Sequence, residues 1–385
     1  MERALYPLRD VSYHHLQRLG EILWDWKFCG KCSKEPTCLD YTCSWSQAGP
    51  LEKFWACYKK ITGAYSPDFL DQTPYLKSHD QLLYLVKEMK IFRSSSREFL
   101  TQKFFDNNHP DPSKRPTLSD QRNAINIATW ILLLTSCGPC RGLIDPADDS
   151  YPMIPWRDGV SLQDFVGEAF PKRIHPYFDL LQDRKRVQDV LSSLKAPRLQ
   201  KDASIRFTAT ADIRQHLSMD LKQGTVQLFD CTAVLKEILM ATLHDSNASI
   251  LPRALVLETL HTIHDILFPS DTRSQTLLST LVHKNGFDAD LLQYELARFQ
   301  REDDSPIDYS YFGTRLADIY DELQNPTPRH GWENWFQKYS AQRYMLMATM
   351  IGVFIAVVVG ILGLGISGFQ AYVSYQQWKH PVNDA

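Results

Sequence analysis

The spacing of apolar residues predicts a mainly α-helical protein with a small two-stranded β-ribbon and one C-terminal transmembrane helix. Apolar residues recur at helical spacing along most of the chain, and only two short segments alternate apolar and polar residues as strands do. The stretch between Arg343 and Lys379 contains no charged residue. Hydrophobic residues make up 44% of the 385 residues, which is enough to build a folded core.

Helix-start signals and amphipathic stripes place the soluble helices. Ser119 is a candidate N-cap for an almost wholly apolar helix at 123–134. Ser161 opens a capping box for a short helix that Pro171 stops. Further helices are predicted at 235–243, 254–267, 291–299 and 311–323.

The segments 205–208 and 225–229 are predicted to pair as the β-ribbon, with the turn-like Lys222-Gln223-Gly224 before the second strand. The domain organisation follows from these elements and from changes in composition. We expect a helical cytosolic region at 1–324 with a weak division near 195–202, a juxtamembrane linker with aromatic residues at 325–343, a transmembrane helix at 344–370 and a short tail at 371–385.

The predicted membrane anchor runs from Met345 to Phe369. A helix of this length spans ~37 Å, against a hydrocarbon core about 30 Å thick. Amphipathic aromatic residues lie on both sides, as is typical of the two membrane–water interfaces. These interfacial residues are Trp332 and Trp335 before the helix, and Tyr372, Tyr375 and Trp378 after it. The sequence therefore predicts a single-pass, tail-anchored membrane protein whose first partner is the lipid bilayer.

Charge predicts the orientation of the anchor. Arg329, Lys338 and Arg343 precede it and only Lys379 follows, which favours a cytosolic N-terminal region. The N-terminal residues lack the basic and then apolar pattern of a signal peptide, so the eight cysteines of this region are expected to be mostly reduced. The length of the apolar segment favours an endomembrane of the secretory pathway. A net charge of −3 without basic blocks argues against nucleic acid as a partner.

Small residues recur every four positions along the predicted anchor, at Ala348, Gly352, Ala356 and Gly360. Such a ridge lets a second helix approach closely, so it is a candidate contact for a protein partner within the membrane. The alternative is that glycine and alanine are simply common in membrane helices.

Cysteines are densest near the N-terminus, at Cys29, Cys32, Cys38 and Cys43. Four thiolates at these spacings could surround one tetrahedral Zn²⁺. The second pair departs from the usual CxxC knuckle, and nearby tryptophans (Trp24, Trp26 and Trp45) are equally compatible with a packed cluster of free thiols. Both interpretations stay open at this point.

Two other motifs resemble reactive sites without the context that such sites need. Cys137-Gly138-Pro139-Cys140 copies the thioredoxin tetrapeptide, but a helical segment precedes it and a proline-rich loop follows, so we expect Gly-Pro to end the helix. Glu258, His261 and Asp265 share a helix face, yet the Glu-x-x-His spacing occurs there once, where di-metal bundles need two copies.

Motifs for nucleophilic, phosphate-binding or metalloprotease chemistry do not occur in the sequence. We therefore assign no catalytic residue and no cofactor.

Several segments resemble a group of uncharacterised proteins of filamentous ascomycete fungi, each of which ends in a similar membrane segment. The resemblance covers most of the chain from about residue 75 onward and is closest in the C-terminal part. It implies the anchored architecture and carries over no activity, cofactor or catalytic residue. The residues that carry it are Asp120–Ala124, Pro155–Arg157, Phe165–Pro171, Phe207–Thr208, Asp212–Arg214, His216–Leu217, Leu235–Glu237, Tyr311–Gly313, Arg315–Asp318, Asn325–Pro326, the predicted anchor itself and Gln377–Pro381.

These observations favour a non-catalytic, tail-anchored protein that binds a partner or acts as a scaffold at an endomembrane. The alternative is a membrane-attached enzyme with a helical active site that acts on an apolar metabolite. A third interpretation is a zinc-stabilised module around Cys29 to Cys43.

Overall fold

The computed structural model describes residues 6–32, 35–36, 38–66, 74–106, 115–138, 154–179, 183–245, 247–293, 299–327 and 345–379. The chain divides into two compact units, Met1–Pro326 and Thr327–Ala385. The first unit, called the helical domain below, holds the core and a small sheet, and residues 195–202 lie inside it. The second unit contains one long helix.

The helical domain confirms the predicted mainly α fold. Short 3-10 turns connect several of its helices, and π-helical turns extend α4 and α10. Its helices are α1 (Tyr13–Trp24), α2 (Glu52–Gly63), α3 (His79–Ile91), α4 (Arg97–Thr101), α5 (Leu118–Leu133), α6 (Leu162–Ala169), α7 (Arg184–Ser193), α8 (Ala196–Asp202), α9 (Thr232–Ala241), α10 (Arg253–His261), α11 (Thr272–Asn285) and α12 (Gly313–Gln324).

Helix α5 lies at the centre of the core and is buried on almost every face, as its apolar sequence predicts. Its first turn differs from the prediction, because the N-cap is Thr117, whose hydroxyl accepts the N–H of Asp120 at 3.2 Å, rather than Ser119. Its end differs as well. The helix stops at Leu133 because Leu134 adopts a left-handed conformation (φ 53°), four residues before Gly138.

The two predicted strands are present as β1 (Arg206–Thr210) and β3 (Thr225–Phe229), but they pair in parallel. A third strand, β2 (Met219–Asp220), pairs antiparallel with β3 on its other side. The sheet order is therefore β1-β3-β2, a three-stranded mixed sheet in place of the two-stranded ribbon. The turn before β3 passes through Gly224 at φ 64° and folds β2, rather than β1, back onto β3.

The predicted helix at 254–267 is divided into α10 and a π-helical turn, Thr262–Leu267. Its apolar stripe is fully buried, at Val256, Leu260, Ile263 and Leu267. The predicted helix at 291–299 is described only in part, since residues 294–298 lie outside the described residues. What is described there is the 3-10 turn Ala289–Leu292.

Candidate metal centre and membrane helix

Four cysteine sulfurs converge in the helical domain. The Sγ atoms of Cys29, Cys32, Cys38 and Cys43 all lie within 4.8 Å of one another. Two of the distances are 3.5 Å, between Cys29 and Cys38, and 3.6 Å, between Cys32 and Cys43. Sulfurs bound at about 2.3 Å around one tetrahedral ion are separated by ~3.8 Å, whereas a disulfide requires about 2.05 Å. The geometry therefore fits four free thiols around a common centre.

The cysteines lie on a loop that is closed at its base, called the cysteine loop below (residues 27–44). Lys27 and Ser44 are joined twice, since the N–H of Lys27 donates to the Ser44 hydroxyl and the N–H of Ser44 donates to the Lys27 carbonyl, each at 3.1 Å. Gly30 turns the chain between the first two cysteines at φ 24°, a left-handed conformation that favours glycine. The closed base brings the two arms of the loop, and hence both sulfur pairs, together.

The two buried sulfurs each accept an N–H group. The backbone N–H of Cys29 donates to Cys43 Sγ at 3.4 Å. The buried amide of Gln17, on α1, donates to Cys32 Sγ at 3.8 Å and to the Cys32 carbonyl at 2.9 Å. Such donors offset the negative charge of thiolates and orient them. Gln17 lies outside the cysteine motif, and the sequence contains no signal that links it to the loop.

Aromatic rings pack beneath the cysteine loop and join it to the domain core. The rings of Trp26 and Trp45 meet edge to face at 6.2 Å, and Trp24 lies 5.0 Å from Trp26. Gly20 of α1 makes this packing possible, because a Cβ there would lie 2.4 Å from the Trp26 ring. The Trp26 indole N–H donates to Glu237 of α9 at 2.8 Å. The tryptophans therefore hold the loop against α1 and α9. They pack beside the four sulfurs, so aromatic packing and a metal site are compatible here.

Local hydrogen bonds lower the pKa of the Cys29 thiol. The backbone N–H of Lys31 and the thiol of Cys38 stabilise the Cys29 thiolate and lower the pKa of Cys29 to about 7. Burial has the opposite effect on Cys32 and raises the pKa of its thiol. Because the thiolate is the metal-binding form, the lowered pKa of Cys29 favours binding of a cation by this sulfur near neutral pH.

The polar face of α10 does not form a comparable centre. The Glu258 carboxylate accepts the backbone N–H of Phe312 at 2.6 Å and that of Tyr311 at 3.1 Å, just before α12 begins. His261 and Asp265 approach each other at 3.9 Å. Within the described part of the chain, the four cysteines are the only group of three or more His, Cys, Asp or Glu ligand atoms that converge closely enough for a metal.

The tetrapeptide at 137–140 is described only up to Gly138, so Cys140 lies outside the described residues. The buried Cys137 thiol donates to the side-chain oxygen of Asn126 at 3.2 Å. The first cysteine of this motif thus packs against α5 inside the core.

The second unit contains helix α13 (Met345–Lys379). Its segment Ile351–Gln376 is long and apolar enough to cross a membrane, and none of it is buried. Large apolar side chains are exposed along it, for example Phe354 at 69% and Leu364 at 74%. At 1.5 Å per residue the whole helix is ~52 Å long, which exceeds the ~30 Å hydrocarbon core.

The structure describes some of the predicted anchor and interfacial residues and not others. Space around Gly352 and Gly360 is open, and the side chains of Phe369, Tyr372, Tyr375 and Trp378 are exposed. Met345 and Ala348 lie on α13, where the description of side chains starts at Ile351. Trp332 and Trp335, the predicted interfacial residues before the helix, lie outside the described residues.

Comparisons of the chain with protein-family models, with curated proteins and with solved structures give no match.

Proposed function

We propose that this protein is a membrane-anchored, non-catalytic binding protein whose helical domain recruits a protein partner to a cytosolic membrane surface. The observation that carries the proposal is the fully exposed apolar segment Ile351–Gln376. Each Leu, Ile, Val or Phe at the bilayer centre favours insertion by ~0.3–0.6 kcal/mol. Tyr372, Tyr375 and Trp378 provide aromatic side chains for one membrane–water interface.

The chemistry of the cysteines supports a cytosolic helical domain. The described cysteines are all free thiols, and disulfides are rare in the reducing cytosol. The excess of Lys and Arg before α13 supports the same orientation. The length of the apolar segment supports an endomembrane of the secretory pathway.

A polar groove of about 600 Å³ supports binding of a protein surface by the helical domain. It lies between α1 and α3, and charged residues of both signs line it. Two of its cations make contacts within the domain: Arg18 pairs with Asp80, and Lys90 donates to the backbone carbonyls of Ile22 and Leu23. The lining residues are Arg18, Glu21, Ile22, Asp25, Lys87, Lys90, Ile91, Arg93, Asp245, Asn247 and Ala248.

The same groove argues against the rival enzyme. An apolar metabolite needs an apolar pocket with a few converging polar groups, and walls of mixed charge do not provide one. A folded protein segment with charges of both signs is the partner that such walls complement.

The anchor is tested by alkaline carbonate extraction of membranes from cells that express the full chain. We expect the wild type to stay in the membrane pellet. A double substitution, Val358→Arg with Leu362→Arg, is expected to release it, because each Arg near the bilayer centre costs about 2.5–3.5 kcal/mol. Val358→Leu with Leu362→Val is the matched control and should remain in the pellet. Extraction of the wild type by carbonate would overturn the proposal.

Binding is tested by affinity capture of the detergent-solubilised protein with quantitative mass spectrometry of co-purifying proteins and small molecules. We expect one stoichiometric protein partner that is lost at least about tenfold with Lys87→Glu, a reversal of one exposed charge in the groove. Lys185→Glu, an exposed lysine of α7, is the control and should retain the partner. A bound metabolite without a stoichiometric protein would favour the enzyme instead.

A further inference from the structure

We propose that Cys29, Cys32, Cys38 and Cys43 bind one structural Zn²⁺ ion, which holds the cysteine loop in its folded form. This inference concerns the helical domain alone and does not depend on the membrane anchor or on a partner. It rests on the convergence of four sulfurs, on the N–H donors around them and on the position of the loop.

The number and spacing of the sulfurs indicate the metal. Zinc in structural sites prefers four tetrahedral ligands, and four thiolates complete its coordination without an open position for water or substrate. The 3.5 and 3.6 Å separations lie close to the ~3.8 Å of such a tetrahedron. A four-iron cluster spreads its thiolates over four irons, and sulfurs that all lie within 4.8 Å leave no room for it.

Burial and hydrogen bonding distinguish this group from thiols packed by chance. Cys32 and Cys43 are 3% and 2% exposed, so the centre is shielded from water on one side. Both of these buried sulfurs accept an N–H, from Gln17 and from the backbone of Cys29. Two donors aimed at two buried sulfurs are the arrangement that supports thiolates bound to a cation.

The position of the loop indicates the role of the ion. The described residues of the loop, 27–32, 35–36 and 38–44, form no regular helix or strand before the 3-10 turn that begins at Ser44. Among the described residues of the loop, the backbone hydrogen bonds apart from those of the closed base join residues two or three positions apart. A tetrahedral ion joins both arms of the loop at four points, which such local hydrogen bonds do not do. Because Trp26 and Trp45 pack under the loop, the ion also stabilises the contact of Trp26 with α9.

The test measures the metal content of the detergent-solubilised full chain by inductively coupled plasma mass spectrometry. We expect about one zinc per chain in the wild type. Cys32→Ser should reduce this to less than about a fifth, since a single serine replaces a thiolate ligand. Cys137→Ser removes a different buried cysteine that lies outside the loop, and this control should keep its zinc.

A second measurement needs no variant and remains informative if Cys32→Ser does not fold. A thiol-specific mercurial added to wild-type protein should release one equivalent of zinc to a colorimetric chelator as four thiols react. Replacement of zinc by Co²⁺ should give the visible d–d bands of a tetrahedral thiolate site.

Three outcomes would overturn the proposal: wild-type protein without metal, iron in place of zinc, or disulfides between these cysteines in protein isolated under non-oxidising conditions. Unchanged zinc in a folded Cys32→Ser variant would also overturn it. Carbonate extraction tests the anchor separately, so failure of either proposal is recognisable without the other.

Discussion

The cysteine loop and the polar face of α10 look alike as sequence, because each collects metal-type ligands within a short segment. In the folded domain they differ in what the ligand atoms face. The four sulfurs face one another within 4.8 Å, whereas the Glu258 carboxylate faces the backbone N–H groups of Tyr311 and Phe312. A carboxylate that accepts two backbone N–H groups already stabilises the local structure. Four sulfurs that face one another stabilise the fold strongly only when a bound cation joins them.

Removal of the metal tests the cysteine loop and should give the largest change in the free energy of unfolding. We expect excess chelator to lower the free energy of unfolding of the wild type by at least about 4 kcal/mol, relative to protein with free zinc at 1,000 times its Kd. Chemical denaturation followed by tryptophan fluorescence measures this, since Trp26 and Trp45 pack under the loop. Added zinc should restore the original curve. Identical denaturation curves with and without chelator would show that the cysteine loop does not bind a stabilising metal, and that it does not differ from the α10 face in this respect.

Truncation of Glu258 tests the polar face of α10. Glu258→Ala leaves one buried and one part-buried N–H group without their acceptor, at about 1–3 kcal/mol for a buried group, so we expect a loss of about 3 kcal/mol in the free energy of unfolding. Glu258→Gln keeps one side-chain oxygen as acceptor and should lose less. Zinc content should stay at the wild-type value in both variants. Loss of metal on either substitution would show that the two regions are not independent.

The pH dependence of stability sharpens the role of Glu258. Burial raises its pKa to about 7, from an ordinary value of 4.5. The folded state therefore binds more protons between these values, and its stability falls as the pH rises through that window. Relative to Glu258→Gln, we expect the free energy of unfolding of the wild type to fall by up to about 3 kcal/mol from pH 4.5 to pH 7.

The measurement is a set of denaturation curves for both proteins at each pH. Comparison with Glu258→Gln cancels contributions that the two proteins share. These include the opposite trend of His79 and His264, whose pKa values burial lowers to about 4 and about 3. A difference between the two proteins that stays constant with pH would contradict the assigned pKa shift.

The smallest effect concerns the amide that donates to the sulfur cluster. Gln17→Leu removes the N–H donor to Cys32 Sγ, and we expect zinc affinity to weaken about tenfold, as is usual for groups that support metal ligands. Competition with a chelator of known affinity measures this. Gln102→Leu, at an exposed position of another segment, is the matched control and should leave the affinity unchanged.

Much of the helical architecture could be predicted from the sequence because helices depend on local spacing. The stripe through Val256, Leu260, Ile263 and Leu267 is buried as predicted, although the chain changes there from α-helix to a π-helical turn. Strands β1 and β3 were predictable as elements, whereas their parallel pairing was not. Pairing depends on which segment folds back onto β3, and the turn at Gly224 assigns that place to β2.

For the candidate metal site, the sequence predicted only which residues could be ligands. Cysteine spacing identified four residues, but the same spacing is compatible with packed free thiols. The donor Gln17 could not be predicted, since it lies 15 residues before Cys32 on a separate helix. Glu258 was predictable as a polar residue on a helix face, and its role was not, because its partners lie 53 and 54 residues further along the chain.

By itself, the sequence determined the apolar helix that can cross a membrane, because length and apolarity are local properties that need no other part of the chain. The tertiary structure alone determined that four sulfurs meet within 4.8 Å while Glu258 is committed to the start of α12. The Glu258 contact joins residues 54 positions apart, and the sulfurs meet because the closed loop packs against α1 and α9, so both outcomes require the packed core.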